Sequence, residues 1–554
     1  MFLNRFKFGT FCRKYHATTS TVNVSNLQSD AFNSINTDHT PFAKSFYVGN
    51  FMTSVFSLSQ KHASVPNSKN LFGVIVPKEF GGTKFSAAEI SAAYKSIGLS
   101  QYKPYLAHGS VVKCILKYGT EDQKNKYLPL LASGENIATY CLYESEQGYD
   151  IQNTNTKASF HNNHWVINGS KNWVVNAKQA DTLLIIAKTM DECNRPENNI
   201  QFFSAFLVKK SSIGITVIEN GDHCDVLFNN VKAECMLGPE NEGLLLYSLL
   251  FNSDFLESAS ATVGEIKKIT KIISQDTRFK NPLSITKFGH IYSNLFSMNC
   301  ILNFTNLLLD SLKVDDYEQI LARLFVTKAA YACIDLFDDL GLPKDMYEHI
   351  QNSLLFDGRG NLLIYVGSLL GIQYAGQFMA NDIKQLRNPL MFPKYTLNHI
   401  IKIQKSLKDK PKLRNFLGQY LHPSLKKQAS DLEYCLSRLQ FAVQNMFINL
   451  GPDTFHYQMV LERVNSVALN IYAMTAILHY VSEHLSKSNS QIYPTELVFA
   501  NVFCNTLRSQ CSEKVNEILN SPHNVTDPLY KSLAQQLFVE KNYFLEHPLK
   551  RNIF

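Results

Sequence analysis

Residues Tyr118-Gly-Thr-Glu-Asp-Gln-Lys-Asn-Lys-Tyr-Leu-Pro-Leu-Leu-Ala-Ser-Gly-Glu135 read as helix, with Asp122 to Tyr127 leading into the apolar run Leu128 to Leu131. Just upstream, Ile90, Tyr94 and Ile97, then Val111, Ile115 and Leu116, recur at helical spacing. The spacing predicts a helical unit from about Asn70 to Tyr140. Beyond Tyr140 the apolar runs shorten to strand length: Trp165 to Ile167, Asn172 to Val175, Thr182 to Ala187, Phe202 to Val208 and Val226 to Phe228. Asn168-Gly169 between two such runs predicts a hairpin turn, so a small antiparallel β domain is expected after the helices.

Helical spacing returns at Glu242 and continues to the C-terminus, broken near Arg387 to Pro393 and around Leu407 to Pro423, where Pro and Lys concentrate. Two further helical units are expected. In the last, Val460, Val464, Val467, Ile471, Met474, Leu478, Val481 and Leu485 alternate steps of four and three. That heptad seam suits either the core of a bundle or a coiled coil between chains.

A chain of 554 residues, 45% hydrophobic, can bury more than one core. Its net charge of +7 is spread over 54 basic and 47 acidic residues, with no long Lys/Arg block and no aromatic-basic stripe, which argues against nucleic acid as a partner. The 11 cysteines contain no Cys-x-x-Cys pair and read as reduced thiols. His161 and His164 lie in an Asn-rich stretch that reads as a turn, and no metal is assigned. In the first thirty residues Arg5, Lys7, Arg13 and Lys14 alternate with Phe2, Leu3, Phe6, Phe8 and Phe11, and no acid precedes Asp30. This is a matrix-targeting pattern and predicts a mitochondrial protein. Leu362 to Gly376 is broken by Gly367, Gly371 and Gln373, and no uninterrupted apolar run has the length of a membrane span. A protein soluble in the matrix, or in peripheral contact with the matrix face of the inner membrane, is expected.

Several segments resemble the acyl-CoA dehydrogenase family, in its long branch of the very-long-chain enzyme and family member nine. They are the stretch quoted first, Lys44-Ser-Phe-Tyr-Val-Gly-Asn-Phe51, Leu71-Phe-Gly-Val-Ile-Val-Pro-Lys-Glu-Phe-Gly-Gly82, Asn168-Gly-Ser-Lys-Asn-Trp173, Gly371-Ile-Gln-Tyr-Ala-Gly376, Leu421-His-Pro423 and Asn470-Ile-Tyr-Ala-Met474. The resemblance implies an α+β, mainly α fold. Its parts would be a targeting segment (1–30), an N-terminal helical domain with a truncated start (40–139), a middle β domain (140–240), a helical bundle (241–385) and an extra C-terminal helical domain (386–554).

The family reaction needs a carboxylate base, an oriented FAD and hydrogen bonds to a thioester carbonyl. The resemblance places Asp357 at the base position, one methylene shorter than the family's glutamate. Some members carry the base after the β domain beside an arginine, and those two positions here are Ser253 and Asp254. Tyr140, Leu142, Trp173, Val175, Arg278 and Arg359 fall at or near cofactor-binding positions. Departures gather around them. Tyr143 replaces a flavin-facing hydroxyl residue and Tyr149 a small serine, Val175 stands for a Thr or Ser, and Arg359 for a threonine. Asp276 takes the place of an arginine that reaches the flavin diphosphate of the other subunit, and Asp338-Asp339 replaces a glycine pair.

The expected function is therefore a family protein with weakened or lost dehydrogenase chemistry that acts as a binding or respiratory complex I assembly platform. The alternatives are an active FAD-dependent long-chain or very-long-chain acyl-CoA dehydrogenase of β-oxidation, and an acyl-CoA binder without redox activity. Long-chain acyl-CoA, complex I assembly factors and a second copy in a homodimer are the partners the resemblance implies.

Overall fold

The stretch that decides the fold carries its own start and stop signals. Thr120 accepts the Gln123 backbone N–H at 3.2 Å while the Gln123 side chain accepts that of Thr120 at 3.0 Å, a reciprocal cap that satisfies two orphan donors. Glu121 and Asp122 favour the positive end of the helix dipole, and Gly134, at φ 80°, ends the last turn. Ser86 and Glu89 cap the first long helix in the same way. The computed structural model describes residues 42–59, 71–99, 101–145, 154–189, 202–221, 223–312, 316–357, 360–397, 413–451, 457–487, 495–520 and 526–541, with 409, 411 and 454. The predicted targeting segment lies outside them. The leading helices are α1 (Ala87–Ile97), α2 (Tyr102–Tyr118) and α3 (Glu121–Ser133).

An eight-stranded sheet follows, made of β1 (Ala138–Cys141), β2 (Lys157–His161), β3 (His164–Val174), β4 (Thr182–Thr189), β5 (Phe202–Lys209), β6 (Ile215–Asn220), β7 (His223–Lys232) and β8 (Cys235–Leu237). Its order is β6-β7-β3-β2-β4-β5-β8, with β1 paired to β4. The sheet is mixed rather than wholly antiparallel, because β1 and β2 both run parallel to β4. The hairpin turn is also displaced from its predicted place. Residues 164–174 form one continuous strand, Asn168-Gly169 sits in it at a register shift against β7, and the chain reverses at Asn162-Asn163, both at positive φ. Two adjacent asparagines tolerate the left-handed region that a two-residue hairpin turn requires, which is the conformation Asn-Gly was expected to supply. One face of the sheet packs Leu184, Ile186, Phe203 and Leu207 against α2 and α3, while the other buries Ile167, Ile185, Phe206 and Val226.

The remaining helices are α4 (Gly243–Asn252), α5 (Phe255–Gln275), α6 (Pro282–Ser311), α7 (Asp316–Asp339), α8 (Glu348–Asp357), α9 (Gly360–Arg387), α10 (Lys426–Leu450), α11 (Gln458–Lys487), α12 (Thr495–Leu519) and α13 (Thr526–Glu540). All but α4, which packs with α2 and the sheet, and α13, which buries no residue, share one continuous apolar core with the N-terminal arm. Every seam residue of α11 from Val460 to Val481 is at most 1% exposed, and Leu485 packs at its margin. The seam packs within the chain, against α6, α9, α10 and α12. Among the described residues α11 is the helix long and apolar enough to cross a membrane, and 83% of its most apolar window is buried in the fold, as a core helix requires.

The arm, residues 42–58, is drawn into this core. Phe42, Phe46 and Tyr47 are fully buried, and the Ala43 N–H donates to the buried Glu318 carboxylate at 2.8 Å. Tyr47 meets the Tyr317 hydroxyl at 2.9 Å, and its ring lies so close over Gly371 that a Cβ there would stand 2.1 Å from it.

Candidate functional site

β1 and the end of β3 deliver most of the predicted cofactor positions to one place. Tyr140 is partly buried on β1, Leu142 is buried just beyond it, and Tyr143 is partly buried. Hydrogen bonds tie this segment to the end of β3. The Asn172 N–H donates to the Tyr143 carbonyl at 2.8 Å, the Ser145 N–H to Asn172 Oδ1 at 3.0 Å, and the Thr139 hydroxyl to the Val175 carbonyl at 2.6 Å. Trp173 stands in the left-handed region at φ 55°, where β3 slips register against β7, and its indole is 46% exposed. A bulky residue at positive φ is a strained conformation of the kind that gathers at functional sites. Its N–H is held by Asp225 Oδ1 at 3.3 Å.

Beneath these residues lies a desolvated ion pair. Lys171 Nζ is 2.9 Å from Glu144 Oε1, with side chains only 1% and 5% exposed. Lys171 also donates to the Leu142 carbonyl at 3.1 Å, and Glu144 accepts the N–H groups of Asn155 and Thr156 at 2.6 and 3.1 Å. Burial pushes the Glu144 carboxyl upward, but the Lys171 charge and these donors outweigh it and hold the group below its ordinary value. Burial lowers the Lys171 ammonium despite Glu144.

The positions assigned to the diphosphate are elsewhere and are taken up within the chain. Arg278, on the exposed turn after α5, forks onto Asp276, with Nε 2.9 Å and Nη2 2.6 Å from Oδ2. That partner holds the Asp276 carboxyl below its usual range. Asp338 accepts the Tyr347 hydroxyl, and Asp339 pairs with Lys287 at 3.1 Å. Asp357 is the last residue of α8. Its side chain, together with Tyr149 and Arg359, lies outside the described residues.

A third group of polar side chains crosses the helices α1, α2 and α5. Lys113 of α2 donates to the Ser253 carbonyl and to Glu257 of α5, the Ser253 hydroxyl to Ser110 at 2.7 Å, and Ser91 meets Ser260 at 2.7 Å. Ser253, Asp254 and Glu257 are all buried. Tyr94, fully buried on α1, has its phenol raised well above the ordinary value by burial and then by the Glu257 and Asp254 carboxylates. Lys113 and Glu257 were not among the predicted site residues. The available signal was a lysine inside the apolar run Val111-Val-Lys-Cys-Ile-Leu116 and a glutamate in the small-residue run Glu257-Ser-Ala-Ser-Ala261.

A flavin dinucleotide needs donors for its ring and cations for its diphosphate. At the assigned positions Arg278 is paired with Asp276 inside the chain, Tyr143 and Val175 stand where the resemblance expects hydroxyl side chains, and Asp276, Asp338 and Asp339 add negative charge. This set does not fit the group.

Comparisons with known proteins agree with one another. Residues 65–135 match the model described as acyl-CoA dehydrogenase, N-terminal domain, residues 139–231 its middle domain, and residues 423–543 the ACAD9/ACADV C-terminal domain. The very long-chain specific acyl-CoA dehydrogenase of rat mitochondria is 25% identical over 491 residues, 81% of this chain and 74% of the rat protein. The human protein of that name is 25% identical over 521 residues, 86% of this chain and 78% of its own. Among solved structures, an acyl-CoA dehydrogenase complexed with FAD from Bacillus anthracis superposes with a TM-score of 0.67 at 19% identity, covering 88% of this chain and 89% of that one.

Proposed function

Because the chain belongs to the acyl-CoA dehydrogenase family, we propose that it is a mitochondrial member whose dehydrogenase chemistry is weakened or lost and which uses the fold as a binding platform, in the matrix or on the matrix face of the inner membrane. The observation that carries this reading is the closure of the cofactor positions on themselves, above all Arg278 forked onto Asp276. The fork engages Nε and Nη2 of Arg278 and sets the Asp276 carboxylate beside the guanidinium, which opposes a phosphate there. Supporting it, the scaffold around those positions is kept: the caps, the sheet and the buried seam of α11 all remain. A platform needs the scaffold and not the flavin. The partners we propose are a second copy of the chain and proteins of respiratory complex I assembly.

One observation favours the alternative of an active FAD-dependent long-chain or very-long-chain dehydrogenase. Trp173 keeps a strained backbone and a half-exposed side chain two residues before Val175, a conformation of the kind that gathers at functional sites. The full chain, purified with FAD supplied during expression, separates the two readings. The platform reading expects flavin absorbance far below one per chain, no palmitoyl-CoA-dependent reduction of an electron acceptor, and co-migration of the tagged protein with complex I intermediates in native gels. Stoichiometric flavin with palmitoyl-CoA turnover overturns it.

A further inference from the structure

Helix α13 buries none of its 15 residues, and every one but Asp527 is exposed. Its first turn is moored to the core. Arg463 of α11 donates through Nη1 and Nη2 to the two Asp527 carboxylate oxygens at 2.6 and 2.9 Å, and through Nε to Glu517 of α12 at 2.8 Å. Beyond that fork Leu529, Leu533 and Leu537 recur every four residues, with Tyr530 and Phe538 on the same half of the helix. These side chains are 54%, 54%, 47%, 60% and 78% exposed. A helix of this length is near the lower limit of what stands alone in water, and an apolar stripe normally supplies the missing stability by packing. The stripe of α13 needs a cover.

We infer that α13 is a self-association helix, which pairs antiparallel with α13 of a second copy across a twofold axis at Leu533. The inference rests on the second copy proposed above and supplies its contact. Charge favours this occupant over a lipid surface. The charged residues of α13 are Asp527, Lys531 and Glu540, and with Asp527 turned to Arg463 they leave one cation and one anion, with no basic face for anionic lipid. The leucine row is also self-complementary. Turned end for end about its middle member it superimposes on itself, so Leu529 meets Leu537 of the partner subunit, and ridges spaced four residues apart pack into each other's grooves. In that register Lys531 lies opposite Gln535 and Glu540 opposite Thr526, so like charges do not meet. The five apolar side chains present on the order of 600 Å² per protomer, against roughly 800 Å² per partner in a standard interface, which suits a reversible pair.

The test is the mass of the full chain by sedimentation velocity, wild type against Leu533→Asp with Leu537→Asp. Both positions are exposed in the single chain, so the variant is expected to melt as wild type does. Two charges at the centre of the pair are expected to raise the concentration needed for association at least about thirtyfold. At micromolar concentration wild type is expected at twice the mass of the variant. A cysteine locates the axis: Leu533→Cys is expected to join two chains by a disulfide under the oxidant diamide, whereas Gln535→Cys, on the opposite side of the helix, is not. Equal masses, or a crosslink at position 535 and not at 533, overturn the inference. If both proteins are multimeric, the pairing fails and the second copy stands; if wild type is a monomer, both fail. Flotation with cardiolipin vesicles that the variant loses at unchanged mass assigns the stripe to lipid instead and overturns the pairing.

Discussion

Helix α11 is buried throughout and the junction of β1 with β3 only in part, and the two are held in opposite ways. The seam of α11 touches α6, α9, α10 and α12 through many apolar contacts, each small and none directional. At the junction a few polar groups carry the contact, each with a named counterpart: Glu144 with Lys171, Thr139 with the Val175 carbonyl, Trp173 N–H with Asp225. The difference teaches how a site can be lost without the fold. Apolar packing constrains volume and leaves no group needing a ligand, whereas a polar group that loses an external ligand must find an internal one or cost free energy. At the exposed turn after α5, where water also serves, Arg278 and Asp276 pair with each other.

The largest effect expected from this contrast is in the seam. Ile471→Asp with Leu478→Asp places two charges where no surface is exposed, a penalty well beyond the roughly 4–5 kcal/mol that marks an exceptional substitution. Circular dichroism should show no cooperative melt. A soluble variant with a wild-type melt would show that the seam is not core.

Next comes the buried pair. Lys171→Met strands Glu144 and should lower the unfolding free energy by about 3–5 kcal/mol in urea titration, with part of the loss recovered on adding Glu144→Gln. The pH dependence has a definite sign. The Glu144 carboxyl sits below its ordinary value in the folded state, so its contribution is present above the unfolded carboxylate pKa and is lost as pH falls through the depressed folded value. Wild type and Glu144→Gln should converge in acid and separate toward neutrality; parallel curves across that window would contradict the pairing.

The smallest expected effect is at the exposed fork. Arg278→Ala should leave the melting temperature unchanged, both in plain buffer and with added FAD, since the side chain is 81% exposed. A fall seen only when FAD is present would mean that Arg278 leaves Asp276 for the diphosphate.

What the sequence discloses follows the same division. The seam is readable because a period of alternating fours and threes is a property of neighbouring residues, and the helix and strand regions follow from similarly local spacing. The turn at Asn162-Asn163 was half readable: the stretch His161 to His164 reads as a turn, but Asn168-Gly169 offers the stronger local signal and was overridden by the pairing of β3 with β7 along its whole length. The polar pairs were not readable. Lys113 and Glu257 lie 144 residues apart, and nothing near either residue names the other. The resemblance marks Asp276 as a reversed charge, but its pairing with Arg278 is disclosed by the fold and not by the spacing of either residue.

The N-terminal arm sets a constraint of another kind, on the order of assembly. Its contacts reach far along the chain: Ala43 to Glu318 across 275 residues, and the Ser59 hydroxyl to Glu483 across 424. This early-made segment therefore waits for partners made hundreds of residues later. Until α7 and α11 exist, Phe42, Phe46 and Tyr47 have nowhere to go, and three aromatic rings in water are an invitation to chaperones and to aggregation. Docking of residues 42–59 is therefore a late event in folding, although they are made early.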